Sequence, residues 1–126
     1  MRKVVCYVDN ITFEAKLRDN FTASKIIQNI PIQGRCNIWG KEFYFYTKLN
    51  IPIEKDASNI IEKGELAYWP NGDAIVIGFG KTPISKNEEI RLVDKCNIWA
   101  DTTFDLGTLD KIINPKIIKI GLYEQR

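Results

Sequence analysis

Histidine is absent from the 126 residues of this chain, and methionine occurs only once. Without an imidazole, the chain cannot form a Ser-His or Cys-His catalytic pair of its own. Cys6, Cys36 and Cys96 lie far apart and form no CxxC pair, so they do not indicate a zinc site. We therefore predict no metal and no cofactor, and we interpret the three cysteines as unbridged thiols buried in strands.

Long apolar runs and clusters of charge are also lacking. The first apolar run, residues 4–8, ends at Asp9, which is too early for a signal peptide or a membrane span. The formal net charge is +2 and the basic residues are scattered, so no basic face for nucleic acid is predicted. These absences predict a cytoplasmic protein that binds neither membranes nor nucleic acid. The length predicts a single domain over residues 1–126.

Short segments rich in β-branched and aromatic residues alternate with turn residues along most of the chain. A helix is predicted over residues 22–30, capped by Asn20 or Thr22 and ended by Pro31. A second short helix is predicted over residues 108–113, and residues 50–63 are interpreted as loop. The predicted strands cover residues 3–8, 11–17, 36–39, 43–46, 66–69, 74–79, 95–99 and 117–122. This pattern indicates a mainly β fold, and a barrel is favoured because it leaves no exposed strand edges.

Two of these strands have informative compositions. Residues 43–46 are four consecutive aromatics, which predicts one face in the core and the other against a groove or neighbour. Residues 74–79 are almost entirely apolar, which is typical of a strand buried on both faces. The turn before them contains Asn71-Gly72, which predicts positive φ angles at that pair.

Three blocks of sequence resemble the small prokaryotic cyclophilin-like proteins of unknown function. The blocks are NIWGKEFYF at residues 37–45, YWPNGDA at 68–74 and FGKTPIS at 79–85, and their order and spacing agree with that family. The resemblance extends over nearly the whole chain. It implies a mainly β fold, a closed eight-stranded cyclophilin-like β-barrel with one or two short helices and a surface groove. It implies no known substrate.

The catalytic residues of true cyclophilins have no clear counterpart. Those enzymes lower the barrier to prolyl isomerisation with an arginine that donates to the prolyl nitrogen, beside an apolar pocket and a histidine. Here no arginine lies within the aromatic blocks, and the nearest is Arg35. The sequence therefore predicts a barrel without useful prolyl isomerase activity.

Aromatic residues are concentrated in the three blocks, and we predict that they converge on one dominant pocket. The predicted ligand-binding residues are Trp39, Glu42, Tyr44, Trp69, Phe79 and Thr82. Packing in the barrel core is the alternative for each aromatic residue. For Glu42 the alternatives are a solvated charge, an ion pair with Lys41 or Lys81, or a carboxyl group with a raised pKa in an apolar groove.

Three classes of function stay open at this point. We prefer a barrel that binds a small molecule or peptide in its aromatic groove. The second class is an enzyme, either a weak prolyl isomerase or a hydrolase-like activity within a larger assembly. The third is an assembly protein whose aromatic face is an interface, and homo-oligomers are compatible with all three. A concave pocket would favour the first class, and a flat apolar patch the third.

Overall fold

Ten strands, one α-helix and one 3₁₀ helix make up the fold, described here from a computed structural model over residues 2–124. The strands are β1 (Lys3–Val8), β2 (Ile11–Leu17), β3 (Ile32–Arg35), β4 (Asn37–Ile38), β5 (Glu42–Tyr46), β6 (Ser58–Ile61), β7 (Glu65–Trp69), β8 (Ala74–Gly78), β9 (Ile90–Asp101) and β10 (Ile117–Leu122). Helix α1 spans Phe21–Asn29, and the 3₁₀ helix spans Leu106–Lys111. No helix within residues 2–124 is long and apolar enough to cross a membrane.

The strands form one antiparallel sheet that curls into a nearly closed barrel. Their order is β3-β10-β1-β2-β9-β7-β8-β5-β4, and β6 pairs separately with β9. β3, at one end of this order, passes beside β5, near the other end. The sheet does not pair across this seam. The seam is narrow because Gly34 of β3 has no side chain. A Cβ there would lie 3.0 Å from the Phe45 ring of β5.

Alternation along the strands separates an inner from an outer face. In β5, Phe43 and Phe45 point into the barrel, while Tyr44 and Tyr46 point outward, as the aromatic run predicts. The inner core also holds Trp99 of β9, which is fully buried. This core fixes the positions of the strands, so it determines which side chains meet on the outside.

A second, smaller apolar cluster lies on the outer face. It forms where β6 and part of β9 fold over the sheet, and its members are Ile61, Ala67, Val76, Ile90, Leu92 and Cys96. Tyr44 and Trp69 pack against its edge. Strand β8 is therefore buried on both faces, as its apolar sequence predicts. The outer cluster also gives an apolar support to the side chains that line the candidate site.

Several elements differ from the sequence prediction. The prediction of a mainly β barrel with one or two short helices is confirmed. The sheet has ten strands rather than eight, nine in the barrel order and β6 beside them, and one seam is unpaired rather than closed. Residues 58–61 are a strand rather than a loop, and β9 runs over twelve residues rather than five. The polar residues Asp94 and Lys95 interrupt the apolar pattern of β9, and they lie between its two runs of pairing with β6, at the register shift opposite Ser58 and Ile60. Asn20 caps α1 by accepting from the backbone N–H of Ala23, one of the two predicted caps.

The turn between β7 and β8 is built differently from the prediction. The residue with positive φ is Asp73, at 53°, rather than Asn71 or Gly72. The Asp73 carboxylate accepts from the hydroxyls of Tyr68 and Thr47, which fixes this conformation. Gly72 is required for a different reason, because a Cβ there would lie 2.2 Å from the Trp69 ring. The turn therefore packs directly under Trp69.

Candidate functional site

A pocket of about 190 Å³ opens on the outer face of the barrel, between side chains of β5, β7 and β9, with β8 between β5 and β7 in the sheet. We call it the aromatic pocket, and it is lined by Trp39, Glu42, Tyr44, Trp69 and Val93. Larger clefts occur elsewhere on the described surface, up to about 550 Å³. The aromatic pocket is therefore not the dominant cavity by size. Its distinction is chemical, because three aromatic rings surround one buried carboxyl group.

Glu42 is the unusual residue of this pocket. It is only 6% exposed, yet its side chain makes no hydrogen bond or ion pair with any other residue of the described range 2–124. Burial disfavours the charged form and raises the pKa of Glu42 from 4.5 to about 7. The expected alternatives of a solvated charge or an ion pair with Lys41 or Lys81 therefore do not apply. Lys41 instead pairs with Asp110 at 2.7 Å.

The tight turn before β5 places Trp39 and Glu42 together. The Trp39 backbone N–H donates to the Glu42 carbonyl at 3.0 Å, and Gly40 between them has φ of 62°. A Cβ at Gly40 would lie 2.9 Å from the backbone of Lys81 and Thr82, so only glycine fits against that loop. The turn is thus held against the loop after β8, and both Trp39 and Glu42 line the pocket.

Tyr44 and Trp69 form two walls at right angles. Their ring centroids are 6.3 Å apart and the planes are inclined at 87°. The Trp69 indole N–H donates to the Asp94 carboxylate at 2.8 Å, and Asn71 donates to the same oxygen at 3.1 Å. Burial and the neighbouring Tyr46 raise the pKa of Tyr44, so its hydroxyl stays protonated at neutral pH. The walls are therefore fixed by side-chain contacts before any ligand arrives.

No lysine or arginine lines the aromatic pocket within the described part of the chain. Arg18 is bound to Asp101 and Glu65 at 2.8 Å each, and Arg91 is bound to Glu89. The pocket therefore contains a carboxyl group, π faces and an aliphatic side chain, but no cation of its own. Residues 2–124 also contain no cluster of three or more potential metal ligands.

Comparison with known proteins agrees with the resemblance seen in the sequence. The family model described as "Cyclophilin-like" matches residues 2–120, which is most of the chain. The chain belongs to the cyclophilin-like family.

Two solved structures are similar to this cyclophilin-like chain. The hypothetical protein AF2241 from Archaeoglobus fulgidus, known from a solution structure, is 27% identical, with a TM-score of 0.81 over 97% of this chain and 95% of that one. The structure of McbB in complex with tryptophan is 11% identical, with a TM-score of 0.62 over 98% of this chain and 45% of that one. The second likeness shows the fold alone. A search of the curated proteins finds no match.

The cyclophilin-like fold brings four of the six predicted site residues together and separates two. Trp39, Glu42, Tyr44 and Trp69 line the pocket, whereas Phe79 and Thr82 lie elsewhere. The Phe79 ring packs edge-on against Phe43 in the barrel core, at a centroid distance of 4.8 Å. Thr82 is buried in the loop after β8, where its hydroxyl donates to the Arg91 carbonyl.

Sequence reasoning missed Val93 as a lining residue. Val93 lies on β9 and is 51% exposed, so it forms an apolar rim of the pocket. Its segment was predicted to begin only at residue 95. The segment Leu92-Val93-Asp94 carries a signal for it. Alternation along the strand gives Val93 the exposed position, and an apolar side chain at an exposed position can mark a binding surface.

Proposed function

We propose that this cyclophilin-like domain is a binding module, and that the aromatic pocket holds a small organic group presented by its ligand. The observation that carries the proposal is Glu42, a buried carboxyl group that faces the pocket without a partner among the described residues. Burial among apolar and aromatic side chains weakens the solvation of this carboxyl group, and no protein group replaces the lost water. A ligand that donates a hydrogen bond or carries a positive charge would supply that partner.

The lining supports a ligand that is partly apolar. Trp39, Tyr44 and Trp69 offer large ring surfaces, and Val93 extends them at the rim. Aromatic side chains bury much area with little loss of conformational freedom, so they are common in ligand sites. Glu42, the one carboxyl group among the described lining residues, would then fix the orientation of the ligand. This arrangement fits the selective binding of a ligand better than it fits a flat protein–protein interface.

Catalysis of prolyl isomerisation has less support from the same geometry. An isomerase would need a donor to the prolyl nitrogen, and no arginine lines the pocket in the described residues. Arg18 and Arg91 are each bound to carboxylates elsewhere. The whole sequence contains no histidine to assist. We therefore expect a chromogenic prolyl tetrapeptide to isomerise at the uncatalysed rate, even at high protein concentration. A turnover comparable to that of ordinary cyclophilins would contradict this expectation.

Nuclear magnetic resonance of the three tryptophan indole N–H groups can test pocket binding. Trp39 and Trp69 line the pocket, whereas Trp99 is fully buried in the barrel core and serves as an internal control. The probes are indole, benzylamine and N-acetylproline amide at millimolar concentration. We expect at least one probe to shift the Trp39 and Trp69 signals in a saturable way while Trp99 stays unchanged. Failure of all three probes, or shifts confined to other surfaces, would overturn the proposal.

A further inference from the structure

The walls of the aromatic pocket are suited to a positive charge. Tyr44 and Trp69 meet at 87°, and Trp39 adds a third ring to the same cavity. The face of an aromatic ring carries partial negative charge, and a cation within about 6 Å of the ring centroid is attracted to it. Because Trp39, Tyr44 and Trp69 all line one small cavity, a cation in it lies close to more than one ring. A neutral apolar ligand gains nothing from this electrostatic arrangement.

The charged groups around the pocket favour the same sign. Among the described residues, Glu42 is the one carboxyl group that lines it, and the Asp94 carboxylate accepts from the Trp69 indole N–H. No basic side chain lines the cavity within residues 2–124. An anionic ligand would therefore meet carboxyl groups and π faces without a compensating cation. A cation would provide Glu42 with the partner that it lacks.

The size of the pocket restricts what enters it. Sites that enclose a drug-sized ligand have volumes of roughly 300–1,000 Å³. The aromatic pocket, at about 190 Å³, is smaller than that range. It therefore suits a compact head group on a longer molecule, with the remainder passing over the exposed rim at Val93.

We propose that the aromatic pocket recognises an alkylated ammonium group, with Trp39, Tyr44 and Trp69 around the cation and Glu42 as its counter-ion. This inference rests on the proposed binding function and names the chemistry of the ligand. The group could belong to a free quaternary amine or to a methylated lysine side chain, and both present the same trimethylammonium head. The ordinary lysine ammonium is smaller and more strongly hydrated, so it fills such a cage less well.

A pair of matched probes isolates the charge. Choline and 3,3-dimethylbutan-1-ol have nearly the same shape, but only choline is a cation. Titration at pH 8, followed by the indole N–H signals of Trp39 and Trp69, gives both dissociation constants. We expect choline to bind at least about tenfold more tightly than its neutral isostere, since ring attraction and Glu42 act only on the cation. Equal affinities would overturn the cation assignment.

Variants separate the two contributions to this selectivity. Glu42→Gln keeps the side-chain shape and removes the charge, so we expect about tenfold weaker choline binding with little change for the neutral isostere. Tyr44→Leu should weaken choline binding as well, whereas Tyr44→Phe keeps the ring and should retain it. Glu88→Gln is the matched control, because Glu88 is an exposed carboxylate outside the pocket. Unchanged choline binding by Glu42→Gln would contradict the counter-ion role.

The outcomes distinguish failure of this inference from failure of the proposed function. If indole binds at Trp39 and Trp69 while choline does not, the pocket binds ligands but the ammonium assignment is wrong. If no probe binds there, both proposals are wrong. If choline binds as expected, a peptide with one trimethyllysine identifies the source. Tighter binding of that peptide than of choline supports the methylated side chain, and weaker binding supports the free amine.

Discussion

Glu42 is buried on an apolar outer face without a partner in the described residues, which makes its ionisation unfavourable for the folded state. Its pKa is raised from 4.5 to about 7 by burial. The folded protein therefore binds a proton at Glu42 over a range in which the unfolded chain has released it. Stability consequently falls as pH rises from about 4.5 to about 7, and it stays at the lower level above that.

Substitution Glu42→Gln removes this pH-dependent loss. Relative to the unaltered protein, the variant should gain up to about 3 kcal/mol in unfolding free energy between pH 4.5 and pH 8. Urea unfolding at several pH values measures the difference between the two proteins. Any constant effect of the new amide cancels, because only the change of that difference with pH is compared.

Glu88→Gln is the appropriate control for this measurement too, since Glu88 is exposed and should leave the pH profile unchanged. A difference between Glu42→Gln and the unaltered protein that stays constant from pH 4.5 to pH 8 would show that Glu42 ionises normally. That result would also remove the main support for a functional carboxyl group. A gain in stability on losing a polar group is expected at binding sites, where function and folding make opposite demands.

Sequence reasoning at the residue scale succeeded where a strand position decided the outcome. The aromatic run of residues 43–46 predicted one face in the core and the other on a groove or neighbour, and in the structure Phe43 and Phe45 point inward while Tyr44 and Tyr46 point outward. Phe79 was assigned to the pocket because of its neighbours in sequence, but it lies beyond the end of β8 and points into the core. The aromatic character of a residue does not indicate which face it occupies. Only the register of the strand gives that information.

At the scale of elements, the hairpin of β7 and β8 shows how a turn can position a site. Gly72 lies directly against the Trp69 ring, and a Cβ there would be 2.2 Å from it. Gly72→Ala should therefore move either the ring or the turn. We expect a loss of about 1–3 kcal/mol in stability, which is typical of overpacking, together with weaker probe binding in the aromatic pocket. Urea unfolding and the Trp69 indole signal measure the two effects.

Gly121→Ala offers a matched comparison on β10. A Cβ at Gly121 would lie 3.3 Å from the Tyr7 ring, a contact that a small side-chain shift can relieve. This variant should lose less stability and should leave the Trp69 signal in place. If Gly72→Ala behaves in the same way as Gly121→Ala, then the turn does not position the indole.

Elements that are defined by local pattern were predictable, and those that depend on distant partners were not. The hairpin of β1 and β2 and strand β10 have the predicted bounds, because apolar alternation and turn residues define them locally. Strand β6 forms only because β9 pairs with it, with a shift in register between Ser58 and Ile60. No local signal in residues 58–61 indicates this pairing. The outer apolar cluster under the aromatic pocket was therefore not foreseen either.

At the scale of the whole molecule, residues 2–124 form two apolar clusters and one unpaired seam, and the three thiols are distributed among them. Cys6 lies in the barrel core, Cys96 in the outer cluster, and Cys36 between β3 and β4 beside the seam. All three are buried and none is bridged. Burial raises the pKa of Cys6 and Cys36 to about 12 and also raises that of Cys96, so thiolate is scarce at neutral pH. The rate at which each thiol reacts in the native protein therefore measures how readily its region of the barrel opens.

Denatured, non-reduced protein should yield three free thiols with an aromatic disulfide reagent, whereas native protein should react slowly. Among the native thiols, Cys36 should react first, because it is 8% exposed while Cys6 and Cys96 are almost fully covered. Its own backbone N–H donates to the Lys116 carbonyl at 2.7 Å, but it lies beside the unpaired seam, so a local opening there can expose it without unfolding the core. Mass spectrometry of peptides from briefly labelled native protein gives the order of reaction. One free thiol after denaturation would indicate a disulfide, and labelling of Cys6 before Cys36 would show that the seam is not the weakest part of the barrel.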